Sequence, residues 1–472
     1  MLGFVIAGVS SGSGKTTVTN GLLRGFANRG FSVAPFKVGP DYIDTQFHRV
    51  AAGVPSINLD LFMSDEICVK ERFQRYAVGK DIAVVEGVMG LFDGYDKDRG
   101  SAANIARILD LPVVLVVNAA SSAYSLVALL SGFKNHDERI RIAGVIFNNV
   151  ASDNHLRLLK SAAEDAGVTC LGYVRRDRTI SVPSRHLGLS LGDSDMMEEF
   201  VRRAELAVRA GVDFERLLEG LESGASRLGT SGLGTSGFRP QHSLEAEGEK
   251  VEAGREKAAA EGERAAAEGE KAATGRIAVA WDDAFNFVYP ENLRALACNH
   301  RFGGEIVRFS PLSDEQMPDA DFLYLPGGYP ELFAERLEAN VQMRESVRKF
   351  VENGGFVMAE CGGMIYLGEE INGRKMCGVL PLSASMDKAR LHLGYRTMRI
   401  GDFTLRGHEF HYSSVIENKE RIGSFKSCAE QLDVRGDRVS TPIYRYKNTI
   451  AGYTHWYWGD NDISELYENL HA

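Results

Sequence analysis

The feature that most limits what this chain can fold into lies at its start. The apolar run Phe4–Ala7 enters the loop Gly8-Val9-Ser10-Ser11-Gly12-Ser13-Gly14-Lys15-Thr16-Thr17, and a helical stretch follows through Leu23. Small residues there let backbone N–H groups converge on phosphate oxygens at the positive end of a helix. Lys15 then reaches the β- and γ-phosphates and Thr16 ligates Mg²⁺, which is the logic of a P-loop. Five residues rather than four separate Gly8 from Gly14, so the loop is one residue longer than the strict template. Gly12, Ser13, Gly14, Lys15, Thr16 and Thr17 are the expected ATP contacts.

The same alternation of short apolar runs with helix-like stretches continues for two hundred residues, through Ile82–Val85, Val113–Val117 and Ala143–Phe147. That pattern predicts an α/β fold, a doubly wound and mostly parallel sheet with helices on both faces. At Ser223 the composition breaks into GASRLGTSGLGTSGFRPQ and then EGEKVEAGREKAAAEGERAAAEGEKAATG. Only alanines recur at the seven-residue spacing, so a spacer is expected rather than a coiled coil. A second α/β pattern begins with Ile277–Trp281, Phe322–Leu325 and Gly355–Ala359. The expected division is 1–222, a linker over 223–274, and 275–472; a length of 472 residues suits two large cores.

The net charge of −10 disfavours a general nucleic-acid or anionic-membrane binder. The six scattered cysteines form no zinc-site spacing and imply a reducing compartment. The opening residues show no secretory n-region, and no apolar run reaches the roughly 18–20 residues of a membrane span. A cytoplasmic location is expected.

Two further segments suit ATP chemistry. Phe36-Lys37-Val38-Gly39-Pro40-Asp41-Tyr42-Ile43-Asp44 offers Asp41 as a second Mg²⁺ ligand, with Lys37 and Asp44 to hold a substrate. Val84-Val85-Glu86-Gly87-Val88-Met89-Gly90-Leu91-Phe92-Asp93-Gly94 places Glu86 at a strand end, where an acidic Mg²⁺ ligand belongs, with Asp93 as another substrate contact. Singly, each acid is as readily a turn residue or a helix cap. Asn148 suits reading the nucleotide base, and a turn accounts for it equally.

A second chemistry is written into Gly354-Gly355-Phe356-Val357-Met358-Ala359-Glu360-Cys361-Gly362-Gly363-Met364-Ile365-Tyr366. A cysteine on a tight turn between a strand and an amphipathic helix is expected to be exposed and activated by the helix N-terminus. Leu325-Pro326-Gly327-Gly328-Tyr329-Pro330 ends a strand with glycines that suit an oxyanion site, with Gly328 and Gly362 as backbone donors. His455 is the preferred general base, ahead of His408 and His411.

GVSSGSGKTT, FKVGPDYID, VVEGVMGLFDG, PSRHLGL, AWDDAFNFVYPENL, LYLPGGYPEL, AECGGMIYL and GHEFHYS together resemble the cobyrinate a,c-diamide synthase family across nearly the whole chain. The first half is similar to dethiobiotin synthetase and MinD-type ATPases, and the second to class I glutamine amidotransferases. The resemblance implies ATP- and glutamine-dependent amidation of the a and c acetates of a tetrapyrrole, in cobalamin biosynthesis. The substrate it implies is cobyrinate, or nickel sirohydrochlorin on the way to the nickel coenzyme of methanogenesis. It leaves a homodimer open. Most amidotransferases of the wider class carry a Glu two residues after the His; here Tyr457 stands there, as in the dyad-like corrinoid branch. Two alternatives are a cobyric acid synthase, amidating other side chains, and a MinD-like ATPase switch. The latter would carry a second lysine where this chain has Ser10 and Ser11, and has no need of Cys361.

Overall fold

Seven apolar strands from the first 175 residues pair in parallel, and their side chains alternate between two cores. In the computed structural model, which describes residues 1–180, 194–222, 275–387, 389–425 and 429–471, these are β1 (Leu2–Gly8), β2 (Val33–Val38), β3 (Ile57–Leu59), β4 (Ile82–Gly90), β5 (Val113–Asn118), β6 (Ile142–Val150) and β7 (Cys170–Arg175). The spatial order is β3-β2-β4-β1-β5-β6-β7, and every ladder is parallel. Along β1, Val5 and Ala7 join the core on one face while Phe4 and Ile6 join the core on the other. Such two-sided burial is why these strands read as continuous apolar runs rather than as alternating ones. Each such Val, Ile or Phe contributes on the order of 1.5–3 kcal/mol on leaving water. The helices α1 (Lys15–Asn28) and α2 (Ile43–Ala52) follow β1 and β2, so the loops that begin them lie at the carboxyl ends of the two strands that flank β4.

The residues from 275 onward form a second compact unit. Its strands are β8 (Gly275–Ala280), β9 (Gly304–Phe309), β10 (Phe322–Leu325), β11 (Phe356–Glu360), β12 (Glu370–Ile371), β13 (Arg374–Lys375) and β14 (Leu382–Ser385). They continue as β15 (His392–Ile400), β16 (Phe403–His411), β17 (Ser414–Glu417), β18 (Glu430–Leu432), β19 (Ile443–Tyr446), β20 (Thr449–Gly452) and β21 (His455–Tyr457). The main sheet runs β19-β20-β11-β10-β8-β9, parallel except for β19 at one edge, and an antiparallel sheet runs β18-β15-β16-β21. β21 pairs with β16, setting His455 opposite His408.

Three local expectations are corrected. α1 runs on to Asn28 rather than stopping near Leu23. β4 continues past Val85 to Gly90, so Glu86 lies within the strand and not at its end. The helix after Cys361 spans only Gly362–Tyr366 and is buried on every side, not amphipathic. The spacer over 223–274 and the PSRHLGL segment lie outside the described residues. Among the described residues, no helix is long and apolar enough to cross a membrane.

Candidate active sites

Gly12 and Gly14 take positive φ values of 74° and 95°, a region that costs glycine little and other residues more. Gly14 has a second reason to be glycine, since a Cβ there would run into the Asn148 amide. That amide donates to Ser13 O at 3.1 Å, and the Asn148 Oδ1 accepts from Asn149 N at 2.9 Å, so Asn148 braces the loop. The Ser13 hydroxyl donates to Ser10 O at 2.7 Å. Lys15 Nζ donates to Ser10 O and to Met89 O, which ties the loop to the end of β4. The first turn of α1 has no acidic residue, and its N-cap Gly14 supplies no side-chain acceptor. Its N–H groups and positive dipole end therefore suit an anion.

Beside this loop lies a buried charge cluster. Glu86 Oε1 accepts from Thr16 Oγ1 at 2.9 Å and from Lys37 Nζ at 3.0 Å, while Oε2 meets His48 Nε2 at 2.7 Å. Lys37 also donates to Asp44 at 2.6 Å. Burial favours the neutral acid, yet Lys37 and His48 hold the Glu86 carboxyl well below its ordinary value. Burial likewise opposes the Lys37 ammonium, but Asp44 and then Glu86 push it above its usual range. Asp41 Oδ1 accepts from Ile43 N and Asp44 N, both at 2.8 Å, and so caps α2. Asp93 Oδ2 accepts from Gly90 N at 2.9 Å and shapes the turn after β4. The acids that suit substrate contact thus also build the local fold.

Thr16 and Glu86 present hard oxygen donors side by side at a P-loop, the donor set that Mg²⁺ takes together with nucleotide phosphates. Among the described residues, no group of three or more His, Cys, Asp or Glu could cage a metal by itself.

In the second unit Cys361 caps its short helix at φ 46° and ψ −104°. A non-glycine residue in that region is strained, as nucleophile elbows are. Its N–H donates to Gly452 O at 2.7 Å, and its Sγ lies 3.9 Å from Phe410 O. His455 also interacts with the Phe410 backbone, so thiol and imidazole share one neighbour. A Cβ on Gly327 would strike the His455 ring, and one on Gly362 would lie 3.0 Å from Gly328 N. Gly328, Gly362, Cys361 and His455 are therefore brought together.

The thiol is not exposed as expected. Cys361 is only 5% exposed, and burial, then Glu331, push its pKa well above the ordinary value. Burial, then His408 and His411, hold the His455 imidazole well below its usual pKa, so it is a neutral proton acceptor. His408 Nδ1 meets Tyr289 Oη at 3.1 Å, and its ring stacks on His455 with centroids 5.2 Å apart. His411 stacks on Tyr453 at 3.6 Å and pairs through Nδ1 with Ser413 O.

The sequences related to this chain carry both halves. Residues 4–189 match the CobQ/CobB/MinD/ParA nucleotide binding domain and residues 276–463 the CobB/CobQ-like glutamine amidotransferase domain. A cobyrinate a,c-diamide synthase of Picrophilus torridus is 36% identical, covering 97% of this chain and 96% of its own length. The chain belongs to the cobyrinate a,c-diamide synthase family. A second member so named, from Listeria innocua, is 37% identical over 97% of this chain and 96% of its own. A hydrogenobyrinate a,c-diamide synthase of Brucella abortus is 39% identical over 95% and 98%.

Within this family member, sequence reasoning missed His48 and Glu331. His48 stands four residues after Asp44 on α2, and that helical spacing onto one face is the signal that could have found it. A lone Glu331 in a turn gave no signal. Also missed was Glu360, which accepts from Trp456 N at 3.0 Å and from Tyr324 Oη at 2.8 Å. It fixes the strand that carries His455.

Proposed function

We propose that this chain uses ATP and glutamine to amidate the a and c acetate side chains of a tetrapyrrole, cobyrinate or nickel sirohydrochlorin, in the cytoplasm. Residues 1–222 carry the ligase chemistry, 275–472 the glutaminase, and 223–274 join them. The observation that carries this reading is that one chain holds both a P-loop whose Thr16 meets Glu86 and a cysteine elbow set against His455.

A carboxylate resists ammonia because oxide is a poor leaving group. The substrate oxygen attacks the γ-phosphorus of ATP, ADP leaves, and the carboxyl becomes an acyl phosphate. Ammonia adds to that carbonyl and phosphate departs. Gly12, Ser13, Gly14, Lys15, Thr16 and Thr17 hold the phosphates, and Lys15 stabilises the charge that moves. Thr16, Glu86 and Asp41 would hold a Mg²⁺ ion bound with the nucleotide, which would supply charge neutralisation at the phosphates. Lys37, Asp44 and His48 fix Glu86, and Asp93 shapes the substrate side of the loop.

In the other unit His455 takes the thiol proton as Cys361 Sγ attacks the glutamine amide carbon, with Gly328 and Gly362 N–H groups facing the oxyanion. The proton passes to the leaving nitrogen and ammonia departs. Water then cleaves the thioester to glutamate and restores the thiol. Supplying ATP, glutamine and each tetrapyrrole in turn, then weighing the product, tests the reading. Two added amides are expected, and none with Lys15→Ala. A product with other side chains amidated would refute the a,c assignment.

A further inference from the structure

Three carboxylates act on the Cys361 thiol: Glu331, Glu360 and Glu409. Two are answered within the protein. Glu360 accepts from Trp456 N and Tyr324 Oη, and Glu409 is paired with Arg396 at 2.7 Å and accepts from Gln431 at 3.0 Å. Glu331 differs. It is the second residue of the 3-10 turn Pro330–Phe333, and its charge is felt at both Cys361 and Tyr453. Among the described residues no other side chain gives it a hydrogen bond or an ion pair, and burial pushes its carboxyl up to about 7.

The turn is set against the nucleophile. A Cβ on Gly362 would lie 2.8 Å from Pro330 Cδ and 3.0 Å from Gly328 N, so Glu331 follows directly on the residue that walls the oxyanion side. The thiol, the imidazole and the two N–H donors account for the amide end of glutamine. They leave its α-ammonium without a partner. A partly buried carboxylate that no described cation pairs, and whose charge reaches the reacting sulfur, is what that ammonium requires.

We propose that Glu331 anchors the α-ammonium of the amide substrate at the Cys361 site. The proposal rests on the reading of that site as a glutaminase. It adds a consequence: once paired, Glu331 no longer opposes ionisation of the thiol, so arrival of the substrate itself favours the thiolate.

The test compares L-glutamine with 4-carbamoylbutanoate, which has the same amide and carboxylate but no ammonium. Ammonia release by the full chain is measured with ATP and cobyrinate present. The wild type should prefer L-glutamine in kcat/KM by about 10–100-fold, the worth of a hydrogen bond to a charged group. Glu331→Gln should lose most of that preference at matched thermal stability, with L-glutamine slower and the analogue unchanged or faster, because the charge that opposes the thiolate is gone. Glu331→Asp keeps the charge and should retain part of the preference, which covers the case of an amide variant that does not fold. A preference that survives in Glu331→Gln, or a parallel fall with both substrates, overturns the anchor. If Cys361→Ala still stops ammonia release, only the anchor has failed; if Cys361→Ala releases ammonia normally, both readings fall.

Discussion

Gly327→Ala is a single-methyl test of where the glutaminase base sits. Gly327 has no unusual backbone angle that demands glycine; what forbids a side chain is the His455 ring. A Cβ would lie 2.8 Å from His455 Nδ1 and closer still to Cε1, against about 3.5–4.0 Å for a relaxed contact. The ring therefore has to retreat by roughly an ångström, and a displacement of that size costs on the order of 100-fold in a positioned reaction. Overpacking adds about 1–3 kcal/mol of destabilisation, because His455 and its neighbour Trp456 are fully buried and have nowhere to yield. The assay measures amide synthesis with glutamine and, separately, with ammonium chloride at high pH, alongside a thermal midpoint. Glutamine-dependent synthesis should fall on the order of 100-fold while the ammonium-supported rate follows the thermal stability alone. Glutamine turnover close to wild type would show that His455 does not have to stay where it is, and the assignment of the base would fail with it.

Cys361→Ala should abolish glutamine-dependent synthesis and keep the ammonium-supported reaction; His455→Ala should show the same split with a trace of glutamine use, since a thiol is nucleophilic without a base, and nitrogen-donor kinetics on both variants check this. His48→Ala removes one donor from the buried Glu86 carboxylate and should cost about 1–3 kcal/mol in denaturant unfolding. It should slow synthesis with either nitrogen donor, unlike the changes at Cys361. Glu331 has a folded-state pKa raised from 4.5 to about 7 by burial, so between those values the folded chain binds the extra proton. Stability should therefore fall as pH rises through that window, by up to about 1.4 kcal/mol per pH unit, and the thermal midpoint of Glu331→Gln should show a shallower decline there.

What could be read in advance follows from what is local. The apolar runs at β1, β5 and β10 announced buried parallel strands because both of their faces are covered, and the glycine-rich loop after β1 announced an anion site because its spacing alone dictates how N–H groups converge. The elbow at Cys361 was legible for the same reason. Its burial was not, since exposure of a thiol depends on β16 and on the turn at Pro330, which approach from distant parts of the chain. The length of β4 was misjudged because Glu86 looks like a terminator in isolation, whereas Lys37 and His48 make it acceptable in mid-strand. His455 lies beside His408 through pairing of β21 with β16, a register no local pattern encodes.

The position of β1 also governs the order in which the protein can assemble as it is made. Of the seven strands of this sheet, the earliest made is the central one, and its two neighbours are β4 and β5, which end at Gly90 and Asn118. At about 5–20 residues per second, the strand that carries the phosphate loop waits on the order of ten seconds for both partners. During that interval Phe4, Val5 and Ile6 have no sheet to enter, and the nucleotide site cannot exist. Until then the apolar run Phe4–Ala7 stays uncovered, and nucleotide can begin to stabilise the nascent chain only after β5 has emerged.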